Sequence, residues 1–102
     1  MSFKDINVQE FKELMEGDNS FVLDVRTPAE KAEGEIPGAH IINLMDNAFP
    51  EQIDELDKTK DYLVFCRSGG RSVTACKFMA SKGFGSLYNL VGGIQAWNKS
   101  ND

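Results

Sequence analysis

Apolar residues fall along this chain as helical stripes alternating with short continuous runs. Val8, Phe11, Leu14 and Met15 recur at the spacing of one helix face, behind Asn7 as N-cap with Glu10 three residues on, and before a stop at Gly17. A short extended piece opens at Ile6, ahead of that helix. Residues 21–25 form a run too continuous for a half-exposed strand and suited to a buried parallel one. Thr27, Pro28 and Glu30 then read as the cap, first and third positions of a brief helix that Gly34 ends. Ile36, Pro37, Gly38 and Ala39 spell a type II turn, which delivers residues 40–43 as a third strand.

Residues 44–47 read as irregular. A helix from Pro50 carries Phe49, Ile53 and Leu56 inward, with Glu51, Asp54, Glu55 and Asp57 outside. Residues 62–65 make the fourth strand, 73–82 a long helix closed by Gly83, and 87–90 the fifth strand. Gly92 to Trp97 supply a turn and one or two helical turns. Strands and helices alternate with short connections, which predicts an α/β three-layer sandwich: a mainly parallel five-stranded sheet with helices on both faces.

Length and charge narrow the picture. The 102 residues suffice for one modest core and are read as a single domain over residues 1–102. A formal net charge of −5 with no basic stretch argues against nucleic-acid binding, so any attraction of an anion is local. No apolar run reaches the roughly 20 residues of a membrane span, and the first residues lack a signal-peptide pattern. Two cysteines ten positions apart make no disulfide framework, and no second Cys pair or His cluster offers a zinc site. A cytoplasmic location with reduced thiols and no membrane association is expected.

Chemistry concentrates in one stretch, Cys66, Arg67, Ser68, Gly69, Gly70, Arg71 and Ser72, between the fourth strand and the long helix. In a parallel sheet, sites form beyond the carboxyl ends of strands, where Asp24 and the Gly92–Gly93 pair also fall. Only about 3% of an ordinary cysteine is thiolate at pH 7, and a helix N-terminus and neighbouring arginines raise that share. Gly69 and Gly70 let successive N–H groups curl inward as an anion nest. An inert core cysteine would not call for two arginines and two glycines beside it.

These residues carry a family resemblance. Asp24 to Glu30, the Gly34 to Ala39 turn, the Cys66 to Ser72 loop and Gly92 to Trp97 occur in order at the spacings of a single-domain rhodanese, and the chain resembles that sulfurtransferase family over nearly its whole length. The resemblance implies a double displacement: Cys66 takes a sulfane sulfur from thiosulfate or a related anionic donor as a persulfide. It then passes that sulfur to cyanide, a small thiol or a protein thiol. It also implies that loop N–H groups from Arg67 through Ser72 cradle the terminal sulfur and that Arg67 and Arg71 attract the anionic part of the donor. No metal or other cofactor is called for. Lys31 and Glu35 depart from the family, which commonly has an aromatic and a histidine there. Both lie outside the loop and bear on partner choice.

Rival readings are separable. Cysteine phosphatases use a C-x5-R loop around phosphate, whereas four residues separate Cys66 from Arg71, a tighter loop suited to one sulfur atom. A redox or arsenate reductase wants a second mobile cysteine, but Cys76 shares the stripe of Val73, Met79 and Ala80 and reads as core, out of reach of a disulfide with Cys66. A persulfide carrier delivering to one dedicated protein shares the same loop and stays open. Asp24 and Arg26 read as organisers of the loops, with Arg26 pairing Glu30 or another acid. His40 reads as structural or surface, and Trp97 as the anchor of the last helix.

Overall fold

The computed structural model of this chain describes residues 3–101. Five strands, β1 (Lys4–Ile6), β2 (Ser20–Asp24), β3 (His40–Ile41), β4 (Asp61–Phe65) and β5 (Leu87–Leu90), pair in the order β1-β5-β4-β2-β3, every pair parallel. Four α-helices connect and cover them: α1 (Val8–Met15), α2 (Phe49–Asp54), α3 (Gly70–Ser81) and α4 (Gly93–Ser100), with a 3-10 segment at Pro28–Glu33. The predicted α/β sandwich is the observed one.

Alternation along the central strands creates the layers. On β4, Tyr62 and Val64 face α2 and α3, with Cys76, Met79 and Phe84 in the same cluster. Leu63 and Phe65 face the other side, among Phe11, Ile94 and Trp97 of α1 and α4. Both faces of β4 are therefore dry, as its unbroken apolar run demands. Trp97 anchors α4 as expected, meeting the Phe11 ring edge-on at 6.2 Å with the Lys12 ammonium 5.1 Å from its centroid. His40 is exposed and stacks on Phe21 at 4.5 Å, a surface role.

The local start signals hold where they are self-contained. Asn7 and Glu10 form the reciprocal capping box at the head of α1. The turn at residues 36–39 closes with Ala39 N–H donating to Ile36 O at 3.1 Å, and Gly38 at φ 79°. Several boundaries differ. The extended piece precedes Ile6 instead of opening there, because Lys4 and Asp5 lie exposed on an edge strand and carry no apolar signal. Strand β3 stops after two residues, although Ile42 N–H still donates to Asp24 O at 2.9 Å. The long helix starts at Gly70, three residues earlier than its apolar stripe indicates. Gly70, Arg71 and Ser72 thus form its first turn, behind Gly69 at φ 117°.

One close approach joins the two ends of the fold. The first N–H groups of α4 reach the segment leaving β4: Ile94 N–H donates to Cys66 O at 2.9 Å and Gln95 N–H to Arg67 O at 3.2 Å. Between them Gly93 sits at φ 56°, and a Cβ there would lie 2.4 Å from Cys66 O. Gly93→Ala is expected to destabilise the fold by about 2 kcal/mol or more, from left-handed strain plus displacement of the loop. A urea midpoint lowered at constant slope would register it; an unchanged midpoint would show that the contact carries no constraint.

Candidate active site

Cys66 is the first residue past β4 and is 1% exposed. Its Sγ faces the amino end of the 12-residue helix α3. The first-turn N–H groups of any helix lack intrahelical acceptors and carry the positive end of its dipole. Gly69 N–H donates to Sγ at 3.1 Å, and the Ser72 hydroxyl lies 3.4 Å from it. Burial pushes the Cys66 thiol up, but the Ser72 hydroxyl and the N–H groups of Ser72, Gly69 and Ser68 outweigh burial and hold it below its ordinary value. Directed hydrogen bonds, more than the arginines, favour this thiolate.

The buried polar side chains among the described residues are Asp24, Arg26, Ser72 and Asn89. Every one belongs to this end of the sheet. Arg26, 0% exposed, lays its guanidinium along Asp24 in a two-point pair, Nε to Oδ1 and Nη2 to Oδ2 at 2.9 Å each. Its remaining donors reach Glu30 O at 3.1 Å and Gly34 O at 3.0 Å, and its face covers the Phe65 ring at 5.3 Å. The acid that Arg26 pairs with is Asp24, and Glu30 is met only through its carbonyl. Arg26 tethers the 3-10 segment to the sheet.

That segment presents Glu30, whose carboxylate is held from two sides. Arg71 donates to both oxygens at 2.7 Å, and Thr27 donates to Oε1 through its N–H and hydroxyl at 3.1 Å. Arg67, on the same rim, lies 3.3 Å from Glu33, and both side chains are half-exposed. The sequence motif brings two arginines to the loop, but the fold brings each a glutamate. Glu30 is thus a site residue that sequence reading takes for a helix start or a partner of Arg26, because Arg71 lies 41 positions away.

Asn89 is the second residue missed. It donates to Asp5 Oδ1 at 2.9 Å and its Oδ1 receives the Ser72 hydroxyl at 2.5 Å. An amide at an inward position of an otherwise apolar strand is the signal that could have found it. Ser68, Gly69 and Ser72 direct N–H groups at the sulfur, and Arg67, Gly70 and Arg71 adjoin them in the loop and first turn of α3. Cys76 lies a further turn along, buried among Ala75 and Met79, and burial pushes its thiol up to about 12. Among the described residues no group of three or more His, Cys, Asp or Glu side chains is placed to hold a metal ion, and no helix is long and apolar enough to cross a membrane.

Residues 7–100 match the family model described as a rhodanese-like domain. The chain is 42% identical to YtwF of Bacillus subtilis over 95% of this chain and 92% of that protein. It is 40% identical to an Allochromatium vinosum protein named sulfurtransferase, across 82% of this chain and 77% of that one. The solved structure of a rhodanese-related protein from Thermoplasma volcanium superposes with a TM-score of 0.82 at 31% identity, covering 95% and 92% of the two chains.

The Glu30 carboxylate makes an acid-stability prediction. Its hydrogen bonds from Arg71, then those from Thr27, outweigh burial and bring it from 4.5 to about 2. A folded-state value below the unfolded one adds stability above pH 4.5 that is lost as pH falls toward 2. Glu30→Gln is expected to be less stable at neutral pH and to lose less on acidification through that window. Parallel acid-unfolding curves for the two proteins would contradict the assignment.

Proposed function

This chain belongs to the rhodanese-like domain family, and we propose that it is a sulfurtransferase whose nucleophile is Cys66. The observation that carries the reading is the Cys66 sulfur held at the amino end of α3, with Gly69 N–H at 3.1 Å and four residues between it and Arg71. A loop of that length, with donors converging on one atom, suits a sulfur anion better than a tetrahedral phosphate.

The reaction runs in two displacements. Cys66 thiolate attacks the outer sulfur of a sulfane donor; with thiosulfate the S–S bond breaks and sulfite leaves with the electron pair. Cys66 then carries a persulfide whose terminal, negatively charged sulfur accepts from the N–H groups of residues 67–72. This is electrostatic preorganisation, since the donors are fixed by the helix before charge arrives. An acceptor nucleophile, cyanide or a thiolate, attacks that terminal sulfur and Cys66 departs as thiolate. Ser68, Gly69 and Gly70 keep the rim free of bulk, which admits acceptors up to a protein thiol. Delivery to a dedicated protein partner remains the alternative on the same chemistry.

Arg67 and Arg71 assist anionic donors less than two free cations would. Each already faces a glutamate, so a donor must share Arg71 with Glu30 or loosen that pair. Their role in this reading is to orient the departing anionic group at the rim.

Thiocyanate formation from thiosulfate and cyanide tests the reading, with Cys66→Ser as control. Turnover in the wild type, its loss in Cys66→Ser and a mass gain of one sulfur atom on Cys66 after donor treatment are the expected results. Neither turnover nor sulfur addition from any sulfane donor would sink it. Arg71→Ala is expected to weaken anionic donors by about tenfold, corresponding to about 1.4 kcal/mol, and uncharged ones less. Equal losses for both donor types would rule out an electrostatic role for Arg71.

A further inference from the structure

We infer that Asn89, oriented by Asp5, is a positioning residue that governs the protonation of Cys66 through the hydroxyl of Ser72. The inference rests on the reading of Cys66 as the nucleophile and concerns how its sulfur is held between turnovers.

The argument follows donors and acceptors through one chain of contacts. Asp5 on β1 and Asn89 on β5 are register partners, side by side across the edge of the sheet. A carboxylate only accepts hydrogen bonds, so the atom Asn89 turns toward Asp5, 2.9 Å away, is its NH2. Its carbonyl oxygen is thereby left facing Ser72 Oγ at 2.5 Å. An amide oxygen cannot donate, so Ser72 must.

Ser72 has one hydroxyl proton and three acceptors within reach: Asn89 Oδ1 at 2.5 Å, Gly69 O at 3.1 Å and Cys66 Sγ at 3.4 Å. The shortest contact takes the proton. Ser72 Oγ then turns a lone pair toward Cys66 and accepts from the thiol S–H. To serve the thiolate instead, Ser72 must withdraw its proton from a short bond to Asn89. The Asp5–Asn89 pair therefore competes for the proton with which Ser72 lowers the Cys66 thiol, whereas the loop N–H groups cannot turn away. It also accounts for a 3%-exposed amide on a strand whose other inward neighbour on that face is Leu87.

Other charges near Cys66 are Arg71 and the Cys76 thiol on α3, Asp24 at the end of β2 and Asp5 on β1. An Asn89 substitution leaves every one of them in place, so it isolates the hydrogen-bond effect from charge.

The test is the pH dependence of Cys66 alkylation by iodoacetamide, read on the Cys66 peptide by mass spectrometry so that Cys76 does not contribute. Asn89→Leu removes the acceptor and frees the Ser72 proton for the thiolate. Alkylation at pH 6 is expected to rise about threefold, as thiolate content follows the thiol equilibrium. Asp5→Asn, at an exposed position, is expected to act in the same direction, because an amide at position 5 lets Asn89 turn and donate to Ser72. In a Ser72→Ala background Asn89→Leu is expected to have no effect. Unchanged or slower alkylation in a folded Asn89→Leu protein overturns the proposal, as does acceleration that persists without Ser72. Should Asn89→Leu not fold, an unchanged Asp5→Asn rate overturns it. Alkylation needs no sulfur donor, so a failure of sulfur transfer would sink the functional reading while leaving this result standing.

Discussion

The structure turns on the direction in which a few peptide groups point. Where the chain leaves β4, the carbonyls of Cys66 and Arg67 are taken up by the N–H groups of Ile94 and Gln95. A peptide plane whose carbonyl is fixed outward holds its N–H on the opposite side. The amino end of α4 thus orients the loop, and the amino end of α3 supplies the donors that the loop turns toward the Cys66 sulfur. Two helix termini divide the work: one binds carbonyls and the other binds sulfur. The closeness this demands leaves no room for a side chain at Gly93. A packing constraint at the end of the chain therefore sets the electrostatics of a residue near its middle.

Charged side chains extend the same frame outward. Arg26 is buried with every guanidinium nitrogen bonded, to Asp24, Glu30 O and Gly34 O. A buried guanidinium without such partners would cost several kcal/mol, and here the pairing fixes the 3-10 segment against the sheet. That segment delivers Glu30 to Arg71. Position is transmitted from sheet to loop through two arginine–carboxylate contacts in series, and each is bidentate, which specifies angle as well as distance. The rim gains order from this and gives up much of its net positive charge. Binding of a sulfur anion then depends more on aimed N–H groups than on attraction from afar.

These features differ in how far sequence reveals them. The runs of β2, β4 and β5, the capping box of Asn7 with Glu10 and the turn at residues 36–39 rest on local spacing, and local spacing is what a sequence displays. The reactive loop is legible for the same reason: cysteine, glycines and arginines lie consecutively. The start of α3 is less so, because its first turn is polar and its apolar stripe begins at Val73. Partnerships over long separations leave no local trace. Glu30 serves as a helix-start residue and as the partner of Arg71, and only the fold discloses the second role. Asn89 is a like case. The amide itself shows in the strand, but its partners Asp5 and Ser72 lie 84 and 17 positions away.

The two cysteines make the underlying rule plain. Both are buried and both thiols feel that burial as a push upward, yet the Cys76 thiol is driven to about 12 whereas Cys66 falls below its ordinary value. Composition of the surroundings does not separate them, since both sit in the same apolar cluster. Position relative to α3 does. Cys76 lies inside the helix, where backbone N–H groups are committed to the carbonyls four residues back and none is free to meet a sulfur anion. Cys66 lies in front of the first turn, where those N–H groups have no intrahelical partner. Shifting a cysteine from the strand end into the helix body would conserve its burial and remove its donors. The lowered thiol is therefore a property of the strand-to-helix junction, and Cys66 is the residue that occupies it.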